Sequence, residues 1–397
     1  MRDARRPIRL AYFAHDWGDA AIKRRVAGFA RDGIDVAGFA SYRTDLARPD
    51  WVVTDLGRTY DNGYLHRVRA VLQGAKKAQV PALADADLIV ARNLDMLLTA
   101  LLARRRARLS TPVIYECLDI HRLVARRDRI GALFRAIERR ALRHCVGHWV
   151  SSPAFLSAHF ERYYPDAGGA QVLENRLQTR IGPRPDDVTD KSSKLRIGWF
   201  GNLRCARSLK LLCSLSKQFE GRVEVILRGY PAEAELPDFH QIIAAHPNLT
   251  YGGRYRWPDE LAALYAQVDM VWAGDFMDAG LNSQWLLPNR LYEGGWYGCP
   301  PIAPASSQTG QWISGHASGI VIKEPLERTL PSVVSRILED RSLVHKARQT
   351  LLELPDEVFV EPIGTLRMLV DAAITQDPPP TQTASSEQTT SSIASSV

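Results

Sequence analysis

The chain alternates short runs of β-forming residues with longer runs at helical spacing, and it does so twice. The first series begins with the apolar run Ile8–Ala14, which precedes a helical pattern over Ala20–Arg31. The second begins with Leu195–Phe200, which precedes a helical pattern over Ser208–Phe219. Strands that alternate with helices form βαβ units, in which the strands are parallel and helices cover both faces of the sheet. The sequence therefore predicts two doubly wound α/β domains.

The two series are separated by residues 176–193, which are rich in Pro, Gly, Asp and Ser and show neither the strand pattern nor the helix pattern. Residues 376–397 consist mainly of Pro, Thr, Ser and Gln and have almost no apolar side chains to bury. We therefore expect a Rossmann-like first domain, a linker, a Rossmann-like second domain whose last helix can pack back on the first domain, and a disordered tail, over residues 1–178, 179–193, 194–375 and 376–397.

Positive charge is concentrated in the first half of the chain. Residues 1–190 hold 32 Lys and Arg against 22 Asp and Glu, whereas residues 191–397 hold 19 against 22. Between residues 126 and 143, seven arginines alternate with the apolar residues Leu133, Phe134, Ile137 and Leu142. This pattern is typical of a helix on anionic lipid headgroups, and the alternative is a solvated basic face whose apolar side packs inside the domain. We expect no nucleic-acid partner, because no nucleic-acid motif accompanies the basic run.

The cysteines and the hydropathy pattern indicate a compartment. The five cysteines are odd in number and widely spaced, and they form no Cys-x-x-Cys pair, which favours a reducing cytoplasm. The N-terminus lacks an apolar run of signal-peptide type, and no run of about 18 apolar residues suggests a membrane span. We expect a cytoplasmic protein that is peripheral to the inner face of the plasma membrane.

Two parallel sheets joined by a linker leave a cleft, and such sheets bind ligands beyond the carboxyl ends of their strands. After Leu195–Phe200 come a glycine, which permits close approach of a ligand, and two arginines, which suit a diphosphate. Arg228 follows the next predicted strand. An ordinary βα turn with solvated arginines is the alternative at both places. The candidate donor-binding residues of these two loops are Gly201, Asn202, Arg204, Arg207 and Arg228.

A second group of candidates lies within residues 282–304. Pro288 and Asn289 begin a predicted helix, whose unpaired N–H groups attract phosphate. Arg290 and Glu293 are three residues apart and share a face of that helix. The carboxylate could accept two hydrogen bonds from a ribose diol while the arginine holds phosphate. A surface salt bridge is the alternative.

The pattern Pro-x-Arg-Leu-x-Glu-x-x-x-x-Gly-x-Pro that begins at Pro288 resembles the nucleotide-sugar signature of GT-B glycosyltransferases. Shorter segments are similar to that family in the same order along the chain: Ser151–Pro153, Leu173–Asn175, Gly201–Leu203 and Arg254–Val268. The chain most resembles bacterial exopolysaccharide transferases of the succinoglycan and xanthan type. The resemblance implies a GT-B fold, a nucleotide-sugar donor, expected to be a UDP-sugar, a polyprenyl-diphosphate-linked glycan acceptor and association with the membrane.

The resemblance also implies roles for single residues. Glu293 would bind the ribose, Arg290 together with Arg204 or Arg207 would bind the diphosphate, and Tyr255 would lie near the base. Many retaining members of the family carry another glutamate eight positions before the ribose-binding one. This chain has Trp285 there, so retention or inversion of the sugar configuration stays open.

The first domain is expected to bind the acceptor. Asp119 and His121 follow the predicted strand Val113–Glu116, and Tyr115-x-x-x-Asp119 is similar to the loop that supplies the base in the xanthan glucuronosyltransferase. We predict that Asp119 removes the proton of the acceptor hydroxyl. Asp16 is the second candidate base, and His15 and His121 are candidate acceptor ligands. Helix capping is the alternative for both aspartates.

No group of His, Cys, Asp and Glu has metal-ligand spacing, and Asp85-Ala86-Asp87 is interpreted as a polar turn because it precedes a strand. We therefore expect no metal and no cofactor, with the diphosphate charge met by arginines and a helix end. The predicted function is the transfer of a sugar from a nucleotide sugar to a lipid-linked glycan in exopolysaccharide biosynthesis. The alternatives are a nucleotide-sugar epimerase or hydrolase of the same fold, and a non-catalytic scaffold that binds nucleotide sugars.

Overall fold

The computed structural model describes residues 6–42, 48–58, 64–186 and 193–376. The expected tail therefore lies, except for its first residue, outside the described residues. The described chain forms two lobes, each built on a parallel sheet with helices on its faces. This arrangement confirms the expectation of two doubly wound domains.

The first lobe contains a seven-stranded sheet in the order β3-β2-β1-β4-β5-β6-β7. Its strands are β1 (Ile8–Ala14), β2 (Ile34–Tyr42), β3 (Val53–Arg58), β4 (Leu88–Arg92), β5 (Val113–Cys117), β6 (Gly147–Val150) and β7 (Ala170–Val172). Its helices are α1 (Ala20–Arg31), α2 (Tyr64–Lys77), α3 (Pro81–Ala84), α4 (Leu94–Arg106), α5 (Arg122–Ala125), α6 (Arg129–Leu142), α7 (Pro153–Phe155) and α8 (Glu161–Tyr163), with a π-helix at Leu156–Phe160.

The second lobe contains a six-stranded sheet in the order β10-β9-β8-β11-β12-β13. Its strands are β8 (Leu195–Leu203), β9 (Val223–Pro231), β10 (Leu249–Tyr251), β11 (Met270–Trp272), β12 (Pro301–Pro304) and β13 (Ile320–Ile322). The helices that follow are α9 (Ala206–Gln218), α10 (Phe239–Ala244), α11 (Leu261–Tyr265), α12 (Asn282–Trp285), α13 (Asn289–Trp296), α14 (Gln308–His316), α15 (Leu326–Glu339), α16 (Ser342–Glu353) and α17 (Thr365–Thr375), with a 3₁₀ turn at Asp356–Val358.

The strand order places a reversal point in each sheet. In the first lobe β1 lies between β2 and β4, and in the second lobe β8 lies between β9 and β11. Chain segments leave such neighbouring strands in opposite directions, which opens a crevice at their carboxyl ends. The residues that follow β1, β4, β8 and β11 therefore occupy the positions in which a ligand is expected.

Several boundaries differ from the sequence expectation. β8 and β9 pair along their whole length, from Leu195 with Val223 to Leu203 with Pro231. Consequently Gly201 and Arg228 lie inside strands and do not follow them, because ladder hydrogen bonds extend both strands past the apolar run. The helical spacing of Leu261, Leu264 and Tyr265 after Pro258 predicts a helix over residues 258–267, but the helix covers only Leu261–Tyr265.

The chain joins the lobes at more than one place. Leu177, after the last strand of the first lobe, forms a bridge with Val360 near the end of the second. The last helix, α17, returns to the first lobe, where Leu366 and Val370 are buried against the apolar side chains of β1 and α1. Segments from both ends of the chain therefore stabilise the first lobe.

None of the described helices is long and apolar enough to cross a bilayer. All five cysteines are buried, and none of them forms a disulfide bond.

His148 is a titratable group in the core of the first lobe. It lies in β6 with 1% of its surface exposed, and its ring stacks on Phe160 at a centroid distance of 4.5 Å. Burial lowers the pKa of His148 to about 4, although the charge of Glu138 acts in the opposite direction. The folded lobe therefore contains a neutral imidazole at neutral pH.

We predict that His148 makes the fold sensitive to acid. Its pKa is lowered on folding, so its stabilising contribution is complete above pH 6.5 and is lost as the pH falls towards 4, by about 1–3 kcal/mol. His148→Phe should reduce the difference in unfolding free energy between pH 7 and pH 4 by that amount, as measured by urea denaturation. His345→Phe, at an exposed position, should behave like the wild type. Equal losses in all three proteins would contradict the prediction.

Candidate functional site

A close approach of two glycines shapes the carboxyl edge of the second sheet. Gly201 and Gly229 face each other on β8 and β9 with φ values of +100° and +131°, and a Cβ on Gly229 would lie 1.9 Å from the carbonyl oxygen of Gly201. A Cβ on Gly201 would lie 3.7 Å from Nη1 of Arg290 and 4.0 Å from the hydroxyl of Tyr255. The fold therefore brings these three candidate donor residues together.

Arg290 carries a positive charge that forms no ion pair with a carboxylate among the described residues. It lies in the first turn of α13, and its Nη1 donates to the carbonyl oxygen of Phe200. Its buried Nε has no hydrogen-bond partner, and within the described ranges no carboxylate forms an ion pair with the guanidinium. Burial lowers the pKa of Arg290, and the charge of Asp275 partly offsets this effect. Such a group is suited to an anionic ligand.

Arg204 differs from Arg290 because it already has an anionic partner. Its Nε and Nη2 donate to Oδ2 of Asp275 at 3.2 and 3.1 Å. The other oxygen of Asp275 accepts hydrogen bonds from the backbone of Met277 and the hydroxyl of Ser283. Burial would raise the pKa of Asp275, but Arg204 and these hydrogen bonds outweigh it, and the pKa is lowered. Sequence reasoning missed Asp275, although it follows β11 at the reversal point.

Glu293 lies at the contact between the lobes. Its Oε1 accepts hydrogen bonds from Nη2 of Arg24 at 2.7 Å and from Nε1 of Trp257 at 3.1 Å, and its Oε2 accepts one from Tyr265 at 3.4 Å. Arg24 belongs to α1 of the first lobe, and its other terminal nitrogen donates to the backbone oxygen of Asn175 at 3.0 Å. The proposed ribose ligand is thus paired with an arginine from the opposite lobe, which the sequence did not predict.

The neighbouring Arg25 supports this contact from inside the first lobe. It donates to Oε1 of Glu116 at 2.9 Å, and Glu116 also accepts hydrogen bonds from Arg92 at 2.9 and 3.0 Å and from Tyr12 at 2.8 Å. Burial alone would raise the pKa of Glu116, but the two guanidinium groups lower it to about 2. Glu116 is therefore a buried anion that holds strands β1 and β5 against α1.

The remaining donor candidates lie around this centre. Asn202 is exposed on β8. Asn289 accepts a hydrogen bond from Asn175 at 2.7 Å, and Pro288 is the N-cap of α13. Arg228 donates to the backbone oxygens of Gly253 and Arg254, and so holds the loop that precedes Tyr255.

Arg207 lies apart from this set. Its guanidinium forms ion pairs with Glu324 and Glu327 and lies over the ring of Phe276. The structure does not bring it to Arg290.

On the acceptor side, Asp119 faces the second lobe. Its Oδ1 accepts a hydrogen bond from the amide of Asn282 at 3.3 Å, and the Asn282 side-chain oxygen accepts one from the backbone of Ile120 at 3.1 Å. Asp119 is exposed, whereas Asn282 is buried.

The residue that caps α5 is His121, whose Nδ1 accepts from the backbone of Leu123 at 3.2 Å. Burial and the charge of Arg67 lower the pKa of His121. Asp119 is therefore not a helix cap.

His15 and Asp16 lie in the loop after β1. The Asp16 carboxylate accepts a hydrogen bond from the backbone of Gly18 at 3.0 Å, while the cap of α1 is Asp19. Nε2 of His15 lies 3.6 Å from Asp19, and its Nδ1 lies 3.5 Å from the amide of Asn93. Capping therefore does not account for Asp16 either.

The basic helix α6 exposes only some of its apolar side chains. Leu133 is 59% exposed and Ile130 is 43% exposed, but Leu142 is buried in the core, and Phe134 and Ile137 are half-buried. The same helix layer exposes Val68 and Leu72 of α2, which packs beside α4. The exposed arginines on and beside α6 are Arg126, Arg127, Arg129, Arg139, Arg140 and Arg143. We call this surface the basic face.

No protein-family model matches the chain. The chain is 37% identical over 340 residues to the succinoglycan biosynthesis protein ExoL of Rhizobium meliloti strain 1021, an alignment that covers 82% of this chain and 84% of ExoL. The chain belongs to the ExoL family. The expected resemblance to succinoglycan-type proteins is thus confirmed.

Solved structures identify the fold. HepE from Anabaena, in complex with UDP and glucose, matches 92% of this chain and 99% of its own with a TM-score of 0.64 at 16% identity. Sucrose-phosphate synthase from Thermosynechococcus elongatus matches 92% and 100% with a TM-score of 0.70 at 15% identity. WaaG, a glycosyltransferase of lipopolysaccharide biosynthesis, matches 92% and 98% with a TM-score of 0.60 at 15% identity. The fold of this ExoL relative is that of the GT-B glycosyltransferases, and the expected fold class is confirmed.

Two further observations concern the chemistry of the site. Among the described residues, no three His, Cys, Asp or Glu side chains form a group able to hold a metal ion. Trp285, at the position of the additional glutamate of retaining relatives, packs against the apolar core of the first lobe, and its backbone oxygen accepts a hydrogen bond from Ser152.

We predict that Glu116 is required for the stability of the lobe that carries Arg24. Glu116→Gln removes the charge that balances two buried guanidinium groups, so the free energy of unfolding should fall by about 3–5 kcal/mol. Glu224→Gln breaks a partly exposed pair with Lys194 and should cost less than about 1 kcal/mol. Urea denaturation at pH 7 measures both values. A similar small loss in both variants would show that the buried pairs contribute little.

Proposed function

We propose that this ExoL relative transfers a sugar from a UDP-sugar to a lipid-linked glycan during exopolysaccharide biosynthesis, at an anionic membrane surface. The observation that carries the proposal is the guanidinium of Arg290, which has no carboxylate partner among the described residues and lies beside Gly201 at the carboxyl edge of the second sheet. The UDP complexes of HepE, a protein of the same fold, support a uridine nucleotide as the donor.

The donor diphosphate would bind between Arg290, the N-terminus of α13 and the backbone of Gly201. Positive charge at this place stabilises the diphosphate as it leaves with the electrons of the C1–O bond. Arg204 would contribute less, because Asp275 already neutralises much of its charge. Glu293 would accept the ribose hydroxyls, and Tyr255 would lie towards the base. In this proposal the chain's own arginines, and no metal ion, meet the diphosphate charge.

Asp119 would act as the base on the acceptor side. Asn282 donates a hydrogen bond to one carboxylate oxygen of Asp119, which leaves the other oxygen able to accept a proton. That proton comes from the acceptor hydroxyl, whose own oxygen attacks C1 of the sugar. The C1–O bond to the diphosphate breaks as the new glycosidic bond forms. A single displacement of this kind inverts the configuration at C1. Asp16 is the second candidate, and His15 and His121 would contact the acceptor.

The basic face would bind the membrane. Leu133 and Ile130 are exposed among arginines, an arrangement suited to insertion between anionic headgroups. Since the proposed acceptor is anchored in lipid, this contact would hold the first lobe near its substrate.

The first prediction of the proposal concerns Arg290. Arg290→Met should raise the Kd of UDP at least about tenfold, because it removes the positive charge from the diphosphate site. Calorimetric titration in the presence of EDTA measures the Kd of UDP. The wild type should have the same Kd in EDTA as in Mg²⁺. Arg367→Met, at a partly exposed position on α17, should leave the Kd unchanged. Unaltered binding by Arg290→Met would refute the assigned diphosphate site.

The second prediction concerns the base. Asp119→Asn should lower sugar transfer to a membrane-extracted acceptor by about 10²–10⁴-fold, because the amide cannot accept the proton. The Kd of UDP should not change. Asp16→Asn is the comparison, with a smaller effect expected. If Asp16→Asn abolishes transfer and Asp119→Asn does not, the roles are reversed.

The third prediction concerns the basic face. The protein should float with vesicles that contain phosphatidylglycerol, and 0.5 M NaCl (roughly a 4 Å screening length) should weaken this binding. Leu133→Ser should reduce the floated fraction. Leu343→Ser, which changes a 42% exposed leucine on the second lobe, should not. Binding that is equal on neutral vesicles would argue against an electrostatic contact.

A further inference from the structure

The two sides of the proposed donor site differ in their access to solvent. Gly201, Tyr255 and Arg290 are partly exposed. The Glu293 side chain is only 4% exposed, and the Arg24 side chain that covers it is 1% exposed. A nucleotide could therefore approach the diphosphate side of this conformer, whereas the ribose side is closed by the first lobe.

The hydrogen-bonding capacity of Glu293 is also largely used. Each carboxylate oxygen accepts about two hydrogen bonds. Oε1 already accepts from Arg24 and Trp257, and Oε2 accepts a long hydrogen bond from Tyr265. A ribose diol that donates to both oxygens needs a free position on each. Only Oε2 has one, so a partner of Oε1 must leave before the diol can bind both.

Arg24 is the partner that can leave with the lobe that carries it. Trp257 and Tyr265 belong to the same lobe as Glu293, whereas Arg24 belongs to the first lobe. Its binding place is well defined, because Nη1 donates to the Asn175 backbone oxygen at 3.0 Å and the guanidinium lies 5.2 Å from the centroid of the Trp257 ring. The contact is thus a specific feature of the inter-lobe surface.

We propose that Arg24 is a residue of the donor site that competes with the nucleotide ribose for Glu293. Without donor, the Arg24–Glu293 ion pair closes the ribose side and joins the lobes. Donor binding replaces the guanidinium with the ribose hydroxyls and releases α1 from the second lobe. This inference rests on the proposed binding of the ribose by Glu293.

The expected change in the Kd of UDP on removal of Arg24 is opposite to the change normally seen at an anion site. Removal of an arginine from a site for an anion normally weakens binding. Here Arg24→Met should lower the Kd of UDP about fivefold or more, because the binding-competent state no longer has to be generated by breaking the ion pair. The Kd of 2′,3′-dideoxy-UDP, which lacks the diol, should change little. Calorimetric titration of both nucleotides measures the two values.

The matched control is Arg122→Met. Arg122 forms ion pairs across the lobes with Asp278 at 2.9 Å and Glu235 at 3.3 Å, neither of which belongs to the proposed nucleotide site. It tests whether loosening the lobes is sufficient, and the Kd of UDP should stay at the wild-type value. If Arg24→Met does not fold, Arg24→Lys keeps the charge, shortens the reach and should shift the Kd in the same direction.

The outcomes separate this inference from the proposed function. Unchanged or weaker UDP binding by a folded Arg24 variant overturns the competition, and so does equal tightening for UDP and dideoxy-UDP. Tightening by Arg122→Met to the same extent also overturns it. If the wild type binds no UDP, the proposed donor fails and the competition fails with it. Tighter binding of UDP alone, by the Arg24 variant alone, supports the proposal.

Discussion

Two consecutive arginines on α1 connect the interior of the first lobe with the second lobe. Arg25 binds Glu116 beneath the first sheet, and Arg24 binds Glu293 on α13. Both pairs are almost completely buried, and in each pair one charge offsets part of the hydration that the other has lost. Because the arginines are adjacent on one helical turn, the orientation of α1 that satisfies Glu116 also directs Arg24 across the cleft. The relative position of the lobes therefore depends on an ionic network inside one of them.

The pairing of arginines with carboxylates also identifies the site. Buried charges in proteins are normally paired, since an isolated one loses its hydration without compensation. The buried Arg24, Arg25 and Arg92 follow this rule, and the partly exposed Arg204 also has a carboxylate at hydrogen-bond distance. Arg290 is partly exposed with a buried Nε, and it has no such carboxylate among the described residues. An arginine that the fold leaves in this condition, beside a glycine with no side chain to block access, has the properties of an anion site.

The sequence predicted what depends on local patterns. The alternation of strands and helices predicted both sheets, and the spacing from Pro288 to Glu293 placed an arginine and a glutamate on one helix face, where α13 carries them. The inter-lobe partners could not be predicted in this way. Arg24 looks like any solvated arginine of an amphipathic helix, and its burial depends on a second lobe about 270 residues further along the chain. Asp275 was available to the reasoning from strand ends, but its pairing with Arg204 depends on the register of β8 and β11.

Trp285 shows how one substitution can change the use of a whole segment. The family resemblance implies that many retaining members have a glutamate at this position. Here the indole packs with Leu281 and Leu286 against the core of the first lobe, and Asn282 on the same short helix contacts the loop of Asp119. In this chain the segment is thus a contact between the lobes. A tryptophan offers neither a carboxylate nor a base, so proton removal has to come from elsewhere. Asp119 is exposed and lies on that contact, where Asn282 donates a hydrogen bond to one of its oxygens, and it is therefore the base in the proposed reaction.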